Sequence, residues 1–324
     1  MRKLTLIFLL ISFLSSITAC APSNGETAKR TIKGKFVFQG VRKGGGRKFW
    51  ATYLSENGIV KKISDDVGYS AWSPDGSQFA VTSPDDKRVS FFDSDGQLLS
   101  TLKTSFIPGA VCWFPDGKKI AYVDEQATKG VLADTFHLMV YNVESKEQDK
   151  ILSLENDQCI FNLFISPDNK KIVLTIASVV NPEVKNRLAV LNIEKKSLID
   201  SVPNASAIGW FPDGVHIAVE TNTMPDGKWI GSPHGVLAKI NAETGEFIII
   251  KEQNYEAIDM KLSRDGKYTV YSNSLPSGGV AIFVRSIETD EVFQITKPIQ
   301  IGSDNFSRDS FPDWHQESTP DKHV

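Results

Sequence analysis

The sequence is poor in the residues from which catalytic and metal centres are most often built. Its 324 residues include five histidines and three cysteines. The histidines (His137, His216, His234, His315, His323) show no metal-ligand spacing, and neither a His-Glu-x-x-His nor a Gly-x-Ser-x-Gly pattern occurs. No catalytic residue, metal ligand or cofactor is therefore expected. Charge of one sign is also scarce: the formal net of -3 gives no basic surface for engaging phosphates, which argues against a nucleic-acid partner. Long apolar runs are lacking as well. The one from Leu4 to Leu14 is too short to span a bilayer comfortably.

What the N-terminus does have is an order. Arg2 and Lys3 precede that apolar run, and small and polar residues then lead to Ile17-Thr18-Ala19-Cys20, the layout of a secretory signal. A cysteine placed directly after a small residue resembles the lipobox of bacterial lipoproteins. The resemblance implies cleavage before Cys20, its acylation, and stable anchoring through more than two chains; an ordinary cleaved signal peptide is the alternative. The division expected is a signal peptide over 1–19, lipidated Cys20 with a polar tether over 20–33, a folded domain over 34–315, and a tail over 316–324. The folded part is then exported and held at the cell membrane or outer membrane. Cys112 and Cys159 lie in apolar runs and read as small buried hydrophobes, with a disulfide between them as the alternative.

One short pattern recurs: Trp72-Ser73-Pro74-Asp75-Gly76, Trp113-Phe114-Pro115-Asp116-Gly117, Ile165-Ser166-Pro167-Asp168-Asn169, Trp210-Phe211-Pro212-Asp213-Gly214 and Leu262-Ser263-Arg264-Asp265-Gly266, at intervals of 41, 52, 45 and 52 residues. Each copy is chemistry for a tight turn. Pro presets φ at the second position, Asp suits the third, and Gly or Asn tolerates the positive φ that follows. The aspartates are therefore expected to bond backbone rather than to act as catalytic carboxylates. After each turn comes a β-prone run such as Phe79-Ala80-Val81 or Ile217-Ala218-Val219, whose small middle residue suits a strand buried on both faces. A second, polar turn occurs six times, including Ser55-Glu56-Asn57-Gly58 and Asn241-Ala242-Glu243-Thr244-Gly245. Pro312-Asp313-Trp314 reads as the start of a sixth copy of the first pattern, and Lys35-Phe36-Val37-Phe38 has the composition of the strand it lacks. The two ends are complementary parts of one four-stranded unit, which closes an all-β, six-bladed β-propeller.

The repeat resembles the WD40-like repeat of the TolB family over about residues 34–315. The chain departs from that family in carrying a tether where TolB has an α/β domain. The resemblance implies a non-catalytic module that binds a protein or peptide partner in the cell envelope. The alternative is a propeller enzyme (a lactonase, lyase or glycan-active protein) or a carbohydrate-binding lipoprotein, with its site at the mouth of the central channel.

In a propeller the turns after the first and third strands of each blade share one face. Here those are the short motif turns, so the long connections over 124–134, 180–186, 221–234 and 296–309 fall on the other face, where binding is expected. The residues singled out there are Met224, Trp229 and His234, with Phe306 and Arg308 beside them. Asp93-Ser94-Asp95-Gly96 is read as a plain turn rather than a calcium loop. Gly44-Gly45-Gly46, between basic residues, is read as a hairpin tip rather than a phosphate loop.

Overall fold

A computed structural model of the protein describes residues 32–41, 50–126, 135–155, 158–180, 183–253, 257–276, 278–297 and 308–315. Cys20, the glycine run at 44–46 and Phe306 lie outside them, and for Arg308 only the backbone is described.

The chain enters through β1 (Lys35–Val41), β2 (Trp50–Glu56) and β3 (Ile59–Ser64). Four complete antiparallel blades follow. Blade 1 is β4 (Ser70–Trp72), β5 (Gln78–Ser83), β6 (Arg88–Asp93) and β7 (Leu98–Lys103); blade 2 is β8 (Ile107–Trp113), β9 (Lys119–Gln126), β10 (Thr135–Asn142) and β11 (Gln148–Glu155). Blade 3 is β12 (Gln158–Ile165), β13 (Lys171–Val180), β14 (Glu183–Asn192) and β15 (Ser197–Pro203); blade 4 is β16 (Ala205–Trp210), β17 (His216–Thr221), β18 (Val236–Asn241) and β19 (Phe247–Glu252). Blade 5 is β20 (Ile258–Leu262), β21 (Tyr268–Ser274), β22 (Val280–Ser286) and β23 (Val292–Gln294). Blade 6 is composite: β24 (Arg308–His315) pairs antiparallel with β1, with Phe36 opposite Trp314, and β2 and β3 complete the sheet. The innermost strands β4, β8, β12, β16, β20 and β24 each touch the next, and β24 returns to β4. The ring is closed by the two ends of the chain, as the complementary halves required.

Six apolar clusters hold the ring, one between each pair of neighbouring blades. The strand triplets explain why. Phe79 and Val81 face blade 6 while Ala80 faces blade 2; Ile120 and Tyr122 face blade 1 while Ala121 faces blade 3; Ile217 and Val219 face blade 3 while Ala218 faces blade 5. Blades 1, 2 and 4 thus offer bulky residues of the triplet to the blade before and an alanine to the blade after, while blades 3, 5 and 6 place a valine there. At roughly 1.5–3 kcal/mol per fully buried large side chain, these layers supply most of the folding drive. The outermost strands have water on one side, and β3 and β7 are mostly exposed.

The motif turns take the geometry their residues demand. Gly76, Gly117, Gly214 and Gly266 have φ between 69° and 73°, and Asn169 substitutes at 60°. Each aspartate accepts a backbone N–H two residues on: Asp75 from Ser77 at 3.0 Å, Asp116 from Lys118 at 2.9 Å, Asp168 from Lys170 at 3.1 Å, Asp213 from Val215 at 2.9 Å and Asp265 from Lys267 at 3.0 Å. Asp93 likewise accepts from Asp95 and Gln97, as a plain turn does.

Two sequence expectations are corrected. Residues 180–186 are not a long loop: β13 and β14 stay paired to Val180 opposite Glu183, because the ladder of backbone hydrogen bonds continues to the tip of the hairpin. Pro312 and Asp313 do not begin a turn either. They lie within β24, where Trp314 opposite Phe36 matches Trp72 opposite Phe79. The large apolar residue at the end of the innermost strand, rather than the Pro-Asp pair, is what the sixth blade shares with the others.

Candidate functional site

The strand directions put both kinds of short turn on one face and the loop-rich connections on the other. The channel along the ring axis is treated differently at its two ends.

At the tight-turn end, side chains cross the axis. The free edge of β4 presents Ser70 O, Trp72 N and Trp72 O towards the centre. From β20 and the turn after it, two blades away, Lys261 Nζ donates to Ser70 O at 3.0 Å and Arg264 Nη2 to Trp72 O at 2.8 Å. From β24, Asp313 Oδ2 accepts Trp72 N at 2.6 Å and its other oxygen lies 3.4 Å from Lys261 Nζ. Arg264 stands where the other four motif copies have proline, the residue that stiffens the turn. Its side chain serves the channel instead, capping a strand edge that would otherwise stay unpaired.

At the loop-rich end the lining is acidic. Glu125 ends β9, Glu220 lies next to the end of β17, Asp259 sits near the start of β20, Cys159 near the start of β12, and Tyr69 just before β4. Tyr69 packs against the apolar clusters on both sides of blade 2, so its ring reaches over β8. These groups act on one another. Burial, then the charges of Asp259, Glu125 and Cys159, push the Tyr69 phenol well above its ordinary value. Burial together with neighbouring Asp124 moves the Glu125 carboxyl up to about 7. Burial and Asp259 move Glu220 up to about 7 as well. The Cys159 thiol, desolvated and close to Glu125, rises to about 11. Glu125 and Glu220 keep part of their surface open to water yet are walled in by protein, as groups at a channel mouth are.

Local backbone irregularity aims these groups. The pairing of β8, β12, β16 and β20 with their partners shifts register at a bulge in each case. Asp259 lies within the bulge of β20 at φ 55°. Gly109 lies in that of β8, and a Cβ there would come within 2.7 Å of Glu125 Oε1. Turned so that its amide nitrogen donates, buried Gln253 reaches Glu220 Oε1 at 3.2 Å and the His234 carbonyl at 3.0 Å.

Of the residues singled out in sequence, Met224 and Trp229 lie on a small hairpin of this face. Thr223 bridges Trp229, Gly227 N donates to Met224 O at 2.8 Å, and Pro225-Asp226-Gly227 forms the tip. Met224 is 36% exposed and Trp229 65% exposed. The hairpin is rooted at Thr221, which follows Glu220; the Thr221 hydroxyl lies 2.9 Å from Asn204 O and 3.0 Å from Thr223 O. His234 is half-buried and joins the mouth through its carbonyl rather than its ring. Arg308 begins the innermost strand of blade 6. His216 bonds Asp213 at 2.7 Å on the opposite face, in a structural role. Cys112 and Cys159 are both free thiols. Among the described residues no group of three or more His, Cys, Asp or Glu is arranged to hold a metal ion.

Tyr69, Glu125, Glu220 and Asp259 escaped the sequence reading. A signal existed for Glu220: counted from the motif turn, blades 1 and 3 place the small hydroxyls Thr82 and Thr175 there, and each bonds the neighbouring backbone. A carboxylate in that doubly buried strand needs an explanation.

No protein-family model and no curated protein matches the sequence. Solved structures match its fold. TolB from Acinetobacter baumannii is 15% identical with a TM-score of 0.58 over 87% of this chain, which spans 66% of that protein's length. A putative TolB from Agrobacterium tumefaciens is 12% identical, with a TM-score of 0.57 over 88% of this chain and 99% of its own. Hydrazine synthase from Kuenenia stuttgartiensis is 15% identical, with a TM-score of 0.50 over 83% and 81%. At such identities the likeness carries the architecture, and the chain has a TolB-like six-bladed propeller fold.

Proposed function

We propose that the protein is an exported lipoprotein, acylated at Cys20, whose propeller is a non-catalytic module for a protein or peptide partner in the cell envelope. The partner docks on the loop-rich face through Met224, Trp229 and His234, with Phe306 and Arg308 proposed as further contacts. The observation that carries this reading is the contrast between the channel's ends: one is crossed by Lys261, Arg264 and Asp313, whereas the other opens among Glu125, Glu220 and Asp259 on the face that carries an exposed Trp229. Carboxylates next to an exposed indole favour a partner segment that brings a cationic side chain, paired below and stacked above.

Capture from cross-linked envelopes tests it. Trp229→Ala and Glu220→Gln should each deplete the captured partner, while Asp116→Asn on the tight-turn face should not. Identical capture by all three variants removes the reading.

A second reading, a propeller enzyme, is favoured by two carboxyls held at about 7 at one channel mouth, a value suited to general acid–base work. Turnover of lactone or uronate substrates by the purified protein, lost in Glu220→Gln and Glu125→Gln, would establish it. Inertness with and without added divalent metal would dismiss it.

A further inference from the structure

The place where the chain joins the ring decides which face an anchored molecule turns to its membrane. Ile32 packs against the cluster between blades 5 and 6. Gly34, at φ 141°, lies so close to Trp314 Nε1 and His315 O that a Cβ would overlap both. Lys35 Nζ donates to Ser94 O and to Asp95 Oδ1, each at 3.0 Å. Ser94 and Asp95 belong to the turn between β6 and β7, which lies on the tight-turn face. From Lys35 onward β1 runs away from that face, so the chain is clamped where it arrives there.

Eleven residues separate Cys20 from Ile32. Whatever their arrangement, they span at most about 40 Å. With the tight-turn face toward the bilayer, almost none of that length is needed. The opposite orientation requires the chain to pass outward over β2 and β3, about 10 Å at the usual strand spacing. It must then descend the blade, about 20 Å for a strand of seven residues, and clear the hairpin that carries Trp229. That path takes about 30 Å before the height of the hairpin is added, about three-quarters of the contour, and so costs the tether conformational entropy that the other orientation leaves intact.

We infer that the anchored protein stands with its tight-turn face toward its own membrane and its channel mouth toward the aqueous compartment. It therefore meets a partner that approaches from the aqueous side, not one embedded beside its anchor. This rests on the acylation of Cys20 proposed above.

Full-length protein in phosphatidylethanolamine–phosphatidylglycerol vesicles carrying an acceptor lipid provides the test. A fluorophore is placed at Glu144→Cys on the tight-turn face or at Lys228→Cys on the hairpin, with unsubstituted protein reporting any labelling of Cys112 and Cys159. Energy transfer should be several-fold stronger from position 144. Equal or stronger transfer from position 228 overturns the orientation. The mass of the N-terminal peptide from the same sample separates the two layers: an unmodified Cys20 removes anchor and orientation together, whereas an acylated Cys20 with the reversed order of transfer sinks the orientation alone. Lengthening the tether roughly threefold with Gly/Ser residues should shrink the difference between the probes; a difference that stays unchanged counts against the tether as its cause.

Discussion

Trp113 and Trp72 occupy equivalent places in neighbouring blades, and replacing each by phenylalanine separates a hydrogen bond from the packing around it. Both indoles are buried, at 4% and 2% exposure. Trp113 Nε1 donates to Ala71 O of the preceding blade at 3.1 Å, as Trp210 Nε1 does to Phe164 O at 3.0 Å. Trp72 Nε1 has no hydrogen-bond partner among the described residues. The two substitutions remove the same atoms from similar surroundings, so their transfer and cavity terms nearly cancel. What differs is polar. Trp113→Phe forfeits a bond with a net worth of about 1 kcal/mol and leaves the Ala71 carbonyl without its donor, whereas Trp72→Phe removes a donor that was already unpaired. Trp113→Phe should therefore be the more costly by about 2 kcal/mol, a difference in melting temperature of roughly 4–8 °C for a domain of this size. Urea unfolding followed by circular dichroism gives the comparison directly. Equal losses, or a larger one for Trp72→Phe, would refute the assignment of inter-blade tryptophan bonds as a stabilising term.

Further outcomes follow from the channel and the seam. Glu125 and Glu220 are raised from 4.5 to about 7 by burial and their acidic neighbours, so between those values the folded chain holds protons that the unfolded chain releases. Their contribution is complete below about pH 4.5 and disappears as pH rises through 7; Glu220→Gln should flatten the fall in melting temperature over that window, and a slope unchanged by both Gln variants would contradict it. Gly34→Ala should lower the urea midpoint sharply, since neither Trp314 nor the His315 carbonyl can yield without opening the β1–β24 seam; a midpoint within error of wild type would show that the seam is slack. Thr175 Oγ1 accepts Ala207 N at 2.9 Å in a buried setting, so Thr175→Val should cost about 1–3 kcal/mol by equilibrium unfolding; a neutral result would mean that the amide finds another acceptor. Cys159, with its thiol moved up to about 11, should react with iodoacetamide at pH 8 far more slowly than a free thiol; a reaction at the rate of free cysteine would place it outside the mouth.

Much of the architecture is local, and local chemistry can be read from sequence. A Pro-Asp-Gly turn, a large residue before it and a strand triplet after it are contiguous, and each copy repeats the same steric requirement, so five copies gave the form of the blades and the sixfold polar turn their number. The complementary ends, Phe36 and Trp314, gave the closure because strand pairing leaves one arrangement in which neither edge stays bare. The face that would hold the long loops also followed, since alternate connections of an up-and-down sheet must lie on alternate ends. Met224 and Trp229 could be named because exposed apolar residues in a long connection stand out by composition.

The acidic mouth was decided only in three dimensions. Tyr69, Glu125, Cys159, Glu220 and Asp259 come from five different blades and are far apart in the chain; no spacing rule relates them, and the bulges that turn Asp259 and Gly109 toward the axis leave no fixed sequence mark. The same holds for Arg264, which in sequence is a proline missing from a turn and in the structure is a cap on a strand nearly two hundred residues away. Repetition along the chain dictates what each blade is, because its forces act over neighbouring residues. What the ring encloses depends on which side chains meet across an axis that exists only once all six blades have closed.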